Sequence, residues 1–186
     1  MQVILSNKTS KSGFTLIELM VAVSIVGILS SIIYASFGDA RAQARDKARM
    51  TALKEVQLAL EMFKAQTGSY PVPTPSCSGG ASDFFGPGPV GGATGYAECT
   101  QYIPGLVPDY ISELPTDVMT EAVAAQGFFY RSDGTSYKLM VKDSVEALTV
   151  VAGDEFARCP SLAGACASGI PANTYAVYSG AGAVLW

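Results

Sequence analysis

The chain has 186 residues, of which 49% are hydrophobic and 15% are charged, and its formal net charge is −4. This length is enough for one compact domain of ordinary size plus an additional segment. There is no histidine, which excludes Ser–His and Cys–His catalytic pairs and all histidine-containing metal sites. Residues 1–66 carry a net charge of +3 and residues 67–186 a net charge of −7. The acidic second part argues against nucleic-acid binding through a basic face.

The amino-terminal part is a short basic stretch followed by a long apolar run. Residues 1–13 contain two lysines and no acidic residue, and they end at Gly13. From Phe14 to Phe37 there are 24 residues with one charge, that of Glu18. About 20 apolar residues are enough to cross a bilayer as a helix, and this run is longer than the apolar core of a secretory signal peptide. We therefore expect residues 14–37 to remain attached as a transmembrane helix.

Glu18 is the unusual residue of this run. A carboxylate near the bilayer centre costs about 2.5–3.5 kcal/mol, and an intramembrane acid is by default a functional candidate with a cationic partner. Nearer the membrane edge the cost is smaller, and a side chain that reaches back to water is the simpler explanation. The next basic residue is Arg41, 23 positions further along the chain. A cationic partner for Glu18 therefore has to come from another molecule or from a newly made amino terminus.

The hexapeptide Gly13–Glu18, with the sequence GFTLIE, resembles the prepilin peptidase motif of type IV pilins and of type II secretion and competence pseudopilins. The resemblance covers the basic leader and the whole apolar run. It implies cleavage between Gly13 and Phe14, N-methylation of the Phe14 amine, and pairing of Glu18 with the amine of a neighbouring subunit during filament assembly. It also implies an α+β, pilin-like fold, in which a long amino-terminal helix packs on a small antiparallel sheet.

The region after the apolar run is predicted to continue the helix. Residues 39–66 contain no proline, and apolar residues recur there at three- and four-residue steps, which indicates an amphipathic helix with one side facing a core. This apolar stripe consists of Leu53, Val56, Leu60 and Phe63. Residues 39–49 lack the stripe and are expected to be solvated or to face a filament. Gly68 and Pro71 mark the end of the helix.

Four segments follow from these patterns. They are a leader peptide (1–13), a transmembrane helix (14–37), an amphipathic continuation of that helix (38–66) and an extracytoplasmic globular head (67–186). Within the head, residues 71–98 are rich in Pro, Gly and Ser and predict a long surface loop.

The rest of the head contains turn and strand signals. A helical turn and then an extended segment are expected over 101–118. Asp133-Gly134 lies between aromatic and β-branched runs, which predicts a β-hairpin over 127–141. Further strands are expected at 174–178 and 183–186.

The four cysteines are Cys77, Cys99, Cys159 and Cys166. An even number in a loop-rich region predicts two disulfides if the head lies in an oxidising compartment. Three pairings are possible, and Cys77–Cys99 with Cys159–Cys166 closes the shortest loops. A zinc site made of all four thiolates is the alternative, although neither spacing is as short as the usual knuckle.

Calcium is the second metal that the sequence leads us to consider, because some major pseudopilins bind it in this part of the chain. The candidate ligands are the loop residues Asp117, Asp133, Asp143 and Asp154. No D-x-D-x-D-G loop is present, and the aromatic-Gly-Asn-Pro segment of those pseudopilins is missing after Asp117. Scattered surface acids are usually only solvated, so we expect no cofactor and no metal, with calcium as the open alternative.

The expected function is that of a structural subunit of a type IV pilus-like filament. The alternatives are a pseudopilin of a type II secretion system and a membrane-tethered binding module. An enzyme is not expected, because no nucleophile–base pair or clustered carboxylate pair is present. The expected partners are prepilin peptidase, other copies and related pilins, an inner-membrane assembly platform and lipid. The expected location is the bacterial inner membrane, with the amino end cytoplasmic and the head outside, and the cell surface after assembly.

Overall fold

The computed structural model describes residues 13–73, 84–89, 95–117, 125–151, 153–159, 173–180, 183 and 186, with the side chains of 32–36 left out. The chain divides into two compact units, Met1–Ala40 and Arg41–Trp186. We refer to Arg41–Trp186 as the second unit. The elements in chain order are α1 (Leu16–Thr67), β1 (Phe84–Gly86), β2 (Tyr96–Glu98), β3 (Gly127–Ser132), β4 (Tyr137–Lys142) and β5 (Tyr175–Ser179).

Helix α1 has 52 residues and contains no proline to interrupt it. It ends at Thr67, one residue beyond the predicted boundary at Gln66. The next residue, Gly68, has φ of +85°, and its N–H donates to the carbonyl of Lys64 at 2.8 Å. Glycine adopts this left-handed conformation at little cost, so the predicted glycine stop is confirmed.

In the described part of the chain, five strands form one sheet in the order β2-β1-β3-β4-β5. β1 pairs with β2 in parallel, whereas the β1–β3, β3–β4 and β4–β5 pairs are antiparallel. The expected α+β architecture is confirmed, but the expectation of a purely antiparallel sheet was wrong at the β1–β2 pair. The prediction of a surface loop over 71–98 was also wrong at these two strands, because Phe84, Phe85 and Ala97 are buried.

The predicted hairpin is the β3–β4 pair. At its turn, the Asp133 carboxylate accepts the N–H groups of Thr135 at 2.9 Å and Ser136 at 2.7 Å, and Gly134 has φ of +86°. The strand predicted at 174–178 is confirmed as β5. In the range 183–186 the structure describes only Ala183 and Trp186, and neither lies in a strand, so the prediction of a last strand was wrong at these positions.

The main core of the second unit lies between α1 and one face of the sheet. Leu53, Val56 and Leu60 are fully buried on the helix, which confirms the predicted apolar stripe. From the sheet, Tyr130 and Leu139 belong to the same cluster. Full burial of a large apolar side chain stabilises a fold by about 1.5–3 kcal/mol. This packing holds the helix residues from Arg41 onward against the sheet and its loops.

A second, smaller cluster lies on the other face of the sheet. It contains the apolar side chains that alternate along the strands with those of the main core. Phe129 and Met140 are fully buried there, and the indole of Trp186 packs against the cluster. The guanidinium carbon of Arg131 lies 4.5 Å from the centre of the Trp186 ring, which is cation–π distance.

Candidate functional site: the start of the helix and a buried charge cluster

The predicted processing site lies immediately before α1. Gly13, Phe14 and Thr15 precede the first helical residue, Leu16. The Phe14 side chain is 89% exposed, and a Cβ added at Gly13 would meet no atom within 4 Å. The Gly13–Phe14 peptide bond is therefore sterically open within the described residues, as a cleavage site has to be.

Glu18 lies in the first turn of α1, where it closes a capping box with Thr15. The Glu18 Oε2 atom accepts the Thr15 N–H at 2.9 Å and the Thr15 hydroxyl at 2.7 Å, and the Glu18 N–H donates to Thr15 Oγ1 at 3.3 Å. This reciprocal arrangement satisfies helix donors that otherwise have no partner. This role of Glu18 was not predicted, although Thr-x-x-Glu before an apolar run is its recognised signal.

The helix segment that follows Glu18 presents apolar side chains. The large apolar residues between Leu16 and Leu29 are 52–77% exposed. In the part of the chain that the structure describes, no helix combines the length and apolarity needed to cross a membrane.

A buried charge cluster joins α1 to two loops of the second unit. We call it the Arg49 cluster; it consists of Arg45, Asp46, Arg49, Asp117 and Glu146. Arg49 Nε and Nη2 donate to the two carboxylate oxygens of Asp117, each at 2.9 Å. Arg49 Nη1 donates to Asp46 Oδ1 at 2.9 Å and to Glu146 Oε1 at 2.8 Å. One guanidinium therefore holds three carboxylates, one of them through the strong two-bond geometry.

Two carboxylates of the cluster, those of Asp46 and Glu146, accept additional hydrogen bonds. Asp46 accepts backbone N–H groups from Glu146, Ala147 and Leu148, the shortest at 2.9 Å. Arg45 Nε donates to Glu146 Oε1 at 2.8 Å. The loop after β4 is thus attached to the helix by both side-chain and backbone hydrogen bonds.

Burial and charge pairing set the acid–base properties of this cluster. Arg49 is 4% exposed and Asp46 is fully buried. Burial lowers the pKa of Arg49, but its hydrogen bonds with Asp117 and Glu146 outweigh this effect, and the net pKa is raised. The hydrogen bond from Arg45, followed by that from Arg49, lowers the pKa of Glu146 to about 2. Arg49 and Glu146 are therefore ionised at neutral pH.

The prediction that residues 39–49 are solvated or face a filament was wrong for Asp46 and Arg49. These two side chains are buried because carboxylates and a guanidinium compensate one another there. The partners lie 68 and 97 positions from Arg49 along the chain. No local sequence pattern connects residues so far apart.

The four acids considered for calcium have other roles in the described structure. Asp117 belongs to the Arg49 cluster, and Asp133 caps the hairpin turn. Asp143 forms an ion pair with Lys142, and Asp154 accepts the Val151 N–H at 2.8 Å. Within the described residues, no group of three acids or cysteines is arranged to hold a metal ion.

Cys99 and Cys159 are both disulfide-bonded. The other two cysteines, Cys77 and Cys166, lie outside the described residues. The pairing Cys77–Cys99 with Cys159–Cys166 stays a prediction.

Comparison with known proteins agrees with the interpretation of the amino-terminal segment. Residues 8–34 match a family model described as the prokaryotic N-terminal methylation motif. This range includes Gly13, Phe14 and Glu18 and confirms the resemblance to prepilins. The chain thus carries the amino-terminal motif of the pilin and pseudopilin class.

The chain is also similar to two curated proteins, both named type II secretion system core protein G. It is 36% identical to that of Pseudomonas aeruginosa and 33% identical to that of Aeromonas hydrophila, in each case over 64 residues. These matches cover 34% of this chain and 45% of each relative. The chain therefore matches less than half the length of these relatives. No solved structure is significantly similar to it.

Proposed function

We propose that this chain is a structural subunit of a type IV pilus-like filament, assembled through its amino-terminal helix. The observation that carries the proposal is the match of residues 8–34 to the methylation motif. In the same range, a Gly–Phe junction precedes a helix with Glu18 in its first turn, which supports the proposal. The role is structural rather than catalytic.

The proposed maturation begins with prepilin peptidase. The enzyme cuts between Gly13 and Phe14, and the new Phe14 amine is N-methylated. The amine of one subunit then pairs with Glu18 of its neighbour. Both hydrogen bonds from Thr15 use Oε2 of Glu18, and Oε1 accepts no hydrogen bond within the described residues, so it can receive the amine.

Before assembly, the subunit is anchored in the bacterial inner membrane. Residues 14–37 are the anchor in this proposal, with the amino end in the cytoplasm and the head outside. The apolar composition of this run in the sequence supports the assignment. The partners are prepilin peptidase, other copies and related pilins, the inner-membrane assembly platform and lipid.

A periplasmic pseudopilus of a type II secretion system is the second candidate. The two relatives named core protein G of that system favour it. Deletion of the gene separates the candidates: a pilus subunit leaves the cell without surface fibres, whereas a pseudopilin leaves it unable to secrete folded proteins.

Removing the Glu18 carboxylate tests the assembly step. We expect Glu18→Ala to be cleaved and inserted normally but to form at least about tenfold fewer filaments, because the neighbouring amine is then left uncompensated in lipid. Sheared filaments are measured by immunoblotting. Glu55→Ala is the matched control, because Glu55 is an exposed acid further along the same helix. Wild-type filament levels from Glu18→Ala would contradict the proposal.

Mass spectrometry of the mature chain tests the processing step. We expect the mature amino terminus to be N-methylated Phe14. A bulky substitution at Gly13 should leave the precursor uncut, whereas Gly13→Ala should reduce cleavage less. Because a Cβ at Gly13 would meet no atom of the described residues within 4 Å, reduced cleavage of Gly13→Ala would reflect peptidase recognition and not a steric clash with those residues. A mature chain that still begins at Met1 would defeat this part of the proposal.

A further inference from the structure

One edge of the sheet is closed by a short segment that ends at a disulfide-bonded cysteine. Strand β2 has three residues and, within the described part of the chain, pairs with β1 alone. The Phe84 N–H donates to the Gly95 carbonyl at 3.0 Å, and the Cys99 N–H donates to the Gly86 carbonyl at 2.6 Å. Cys99 comes directly after β2 and is disulfide-bonded. We call residues 96–99 the first edge segment.

The opposite edge of the sheet has a similar construction. Beyond β5, Ala157 forms an isolated bridge with Tyr175, and the Ala176 N–H donates to the Phe156 carbonyl at 2.8 Å. Cys159 lies two residues after Ala157; it is fully buried and disulfide-bonded. We call residues 156–159 the second edge segment. Both edge segments thus combine a few backbone hydrogen bonds with a disulfide at their carboxyl end.

Cys99 and Cys159 are too far apart to bond to each other. From β2 across β1, β3, β4 and β5 to Ala157 there are five strand spacings, or about 24 Å at about 4.8 Å each. The two cysteines lie one and two residues beyond these elements, which brings them closer by at most about 11 Å. A disulfide requires Cα atoms within about 7 Å of each other. The two cysteines therefore belong to different disulfides, one at each edge.

The centre of the sheet is held more firmly than its edges. Strands β3 and β4 pair over six residues, from Gly127 to Ser132, whereas the described register of β1 with β3 is the single pair Phe85–Tyr130. Tyr130 and Leu139 also pack in the main core against α1. Short edge segments with few pairs open more easily than such a centre. A covalent bond therefore has its largest effect on the two edge segments.

We infer that the two disulfides are separate redox-sensitive clamps, each of which closes one edge of the sheet. Reduction detaches the edge segments, while α1, β3 and β4 stay folded. With a water-soluble phosphine, the S–S bond breaks and two thiols form. The phosphine takes the oxygen of one water molecule to become its oxide, and the two hydrogens of that water end on the thiols. This inference goes beyond the filament function and does not depend on it.

Hydrogen exchange of the full chain in detergent, with and without the phosphine, tests the clamps. We expect the amides of Phe84, Cys99 and Ala176 to exchange at least about tenfold faster after reduction, because each donates across an edge. The amides of the β3–β4 pair are the internal control and should change less than about twofold.

Two results of this experiment would overturn the inference. Unchanged exchange at both edges would show that burial of Ala97 and Phe156 holds the edge segments without the disulfides. Equal acceleration in the β3–β4 pair would show that reduction unfolds the whole sheet and not its edges.

Single substitutions test whether the two clamps are separate. We expect Cys99→Ala to speed exchange at Phe84 and to leave Ala176 unchanged, and Cys159→Ala to do the reverse. Each variant is thus the matched control for the other. Iodoacetamide blocks the thiol that each substitution leaves without its partner, so that no new disulfide forms. If either variant opens both edges equally or opens neither, the inference is wrong.

Discussion

Arg49 is 4% exposed and carries a full positive charge, an arrangement that is stable only while its partners remain. Desolvation of an ion costs several kcal/mol, and the three carboxylates around the guanidinium repay that cost. Loss of the guanidinium removes the positive charge that pairs with the buried carboxylates of Asp46 and Asp117.

We expect Arg49→Met to destabilise the second unit by about 3–5 kcal/mol, because one member of a buried charge cluster is removed. Urea unfolding of the full chain in detergent, followed by the fluorescence of its single tryptophan, Trp186, measures the loss. Lys54→Met is the control, since its partner Glu155 is exposed and such surface pairs contribute within about 1 kcal/mol. Equal effects of the two variants would contradict the assignment.

Individual residues also show which features of the structure could be predicted from the sequence and which could not. The Thr15–Glu18 capping box lies within four consecutive residues and was readable from the sequence as Thr-x-x-Glu. The Arg49 cluster was not readable, because Asp117 and Glu146 reach Arg49 only through the path of the chain. The burial of Asp46 could not be predicted either, because Asp46 lies in a stretch composed mainly of alanines and charged residues.

Among the elements, α1, the β3–β4 hairpin and β5 followed from local signals: absence of proline, an Asp-Gly turn and β-branched or aromatic runs. Strands β1 and β2 have three residues each and lie in Gly- and Pro-rich sequence. Three residues are too few to show a period of two. β1 forms because β3 offers it a hydrogen-bonding edge, and β2 forms because β1 offers it the next edge, which is tertiary information.

Gly86, at the end of β1, shows how closely that strand approaches β3. A Cβ at this position would lie 2.3 Å from the Phe128 carbonyl oxygen and 2.7 Å from Cδ1 of Phe129. Backbone atoms cannot move aside as a flexible side chain does, so β1 itself would have to shift.

We therefore expect Gly86→Ala to destabilise the second unit by about 1–3 kcal/mol, the usual cost of overpacking. The same unfolding measurement applies, because Trp186 packs against the cluster that contains Phe129. Gly38→Ala is the opposite control: a Cβ there meets nothing within 4 Å, and alanine favours the helix by up to about 1 kcal/mol. Unchanged stability of Gly86→Ala would show that β1 does not hold its place by this packing.

At the scale of the whole molecule, the Arg49 cluster makes stability depend on acid. The pKa of Glu146 is lowered to about 2 from its ordinary value of 4.5, because Arg45 and Arg49 bind the ionised form. A carboxyl group whose pKa is lower in the folded than in the unfolded state stabilises the fold. This stabilisation is fully present when the pH is above the pKa of the unfolded state. That contribution is lost as the pH falls from about 4.5 towards 2.

We expect Glu146→Gln to lose less stability than the wild type as the pH falls from about 4.5 to 2. The control is Glu113→Gln, because Glu113 is an exposed glutamate outside the cluster; this variant should show the same dependence of stability on pH as the wild type. Urea midpoints recorded across this range measure the difference. Asp133 keeps its own acid dependence in both variants, because hairpin-turn N–H groups lower its pKa. Identical acid profiles for Glu146→Gln and the wild type would refute the linkage.

The Arg49 cluster has a mechanical consequence. Asp46 holds the backbone of residues 146–148, and Arg49 holds Asp117, so two loops are attached to α1 within a single helical turn. A pulling force along the helix axis loads these bonds in shear and at the same time, instead of peeling them apart one after another. Tension in the helix then passes to the sheet through ionic bonds before it reaches the apolar core.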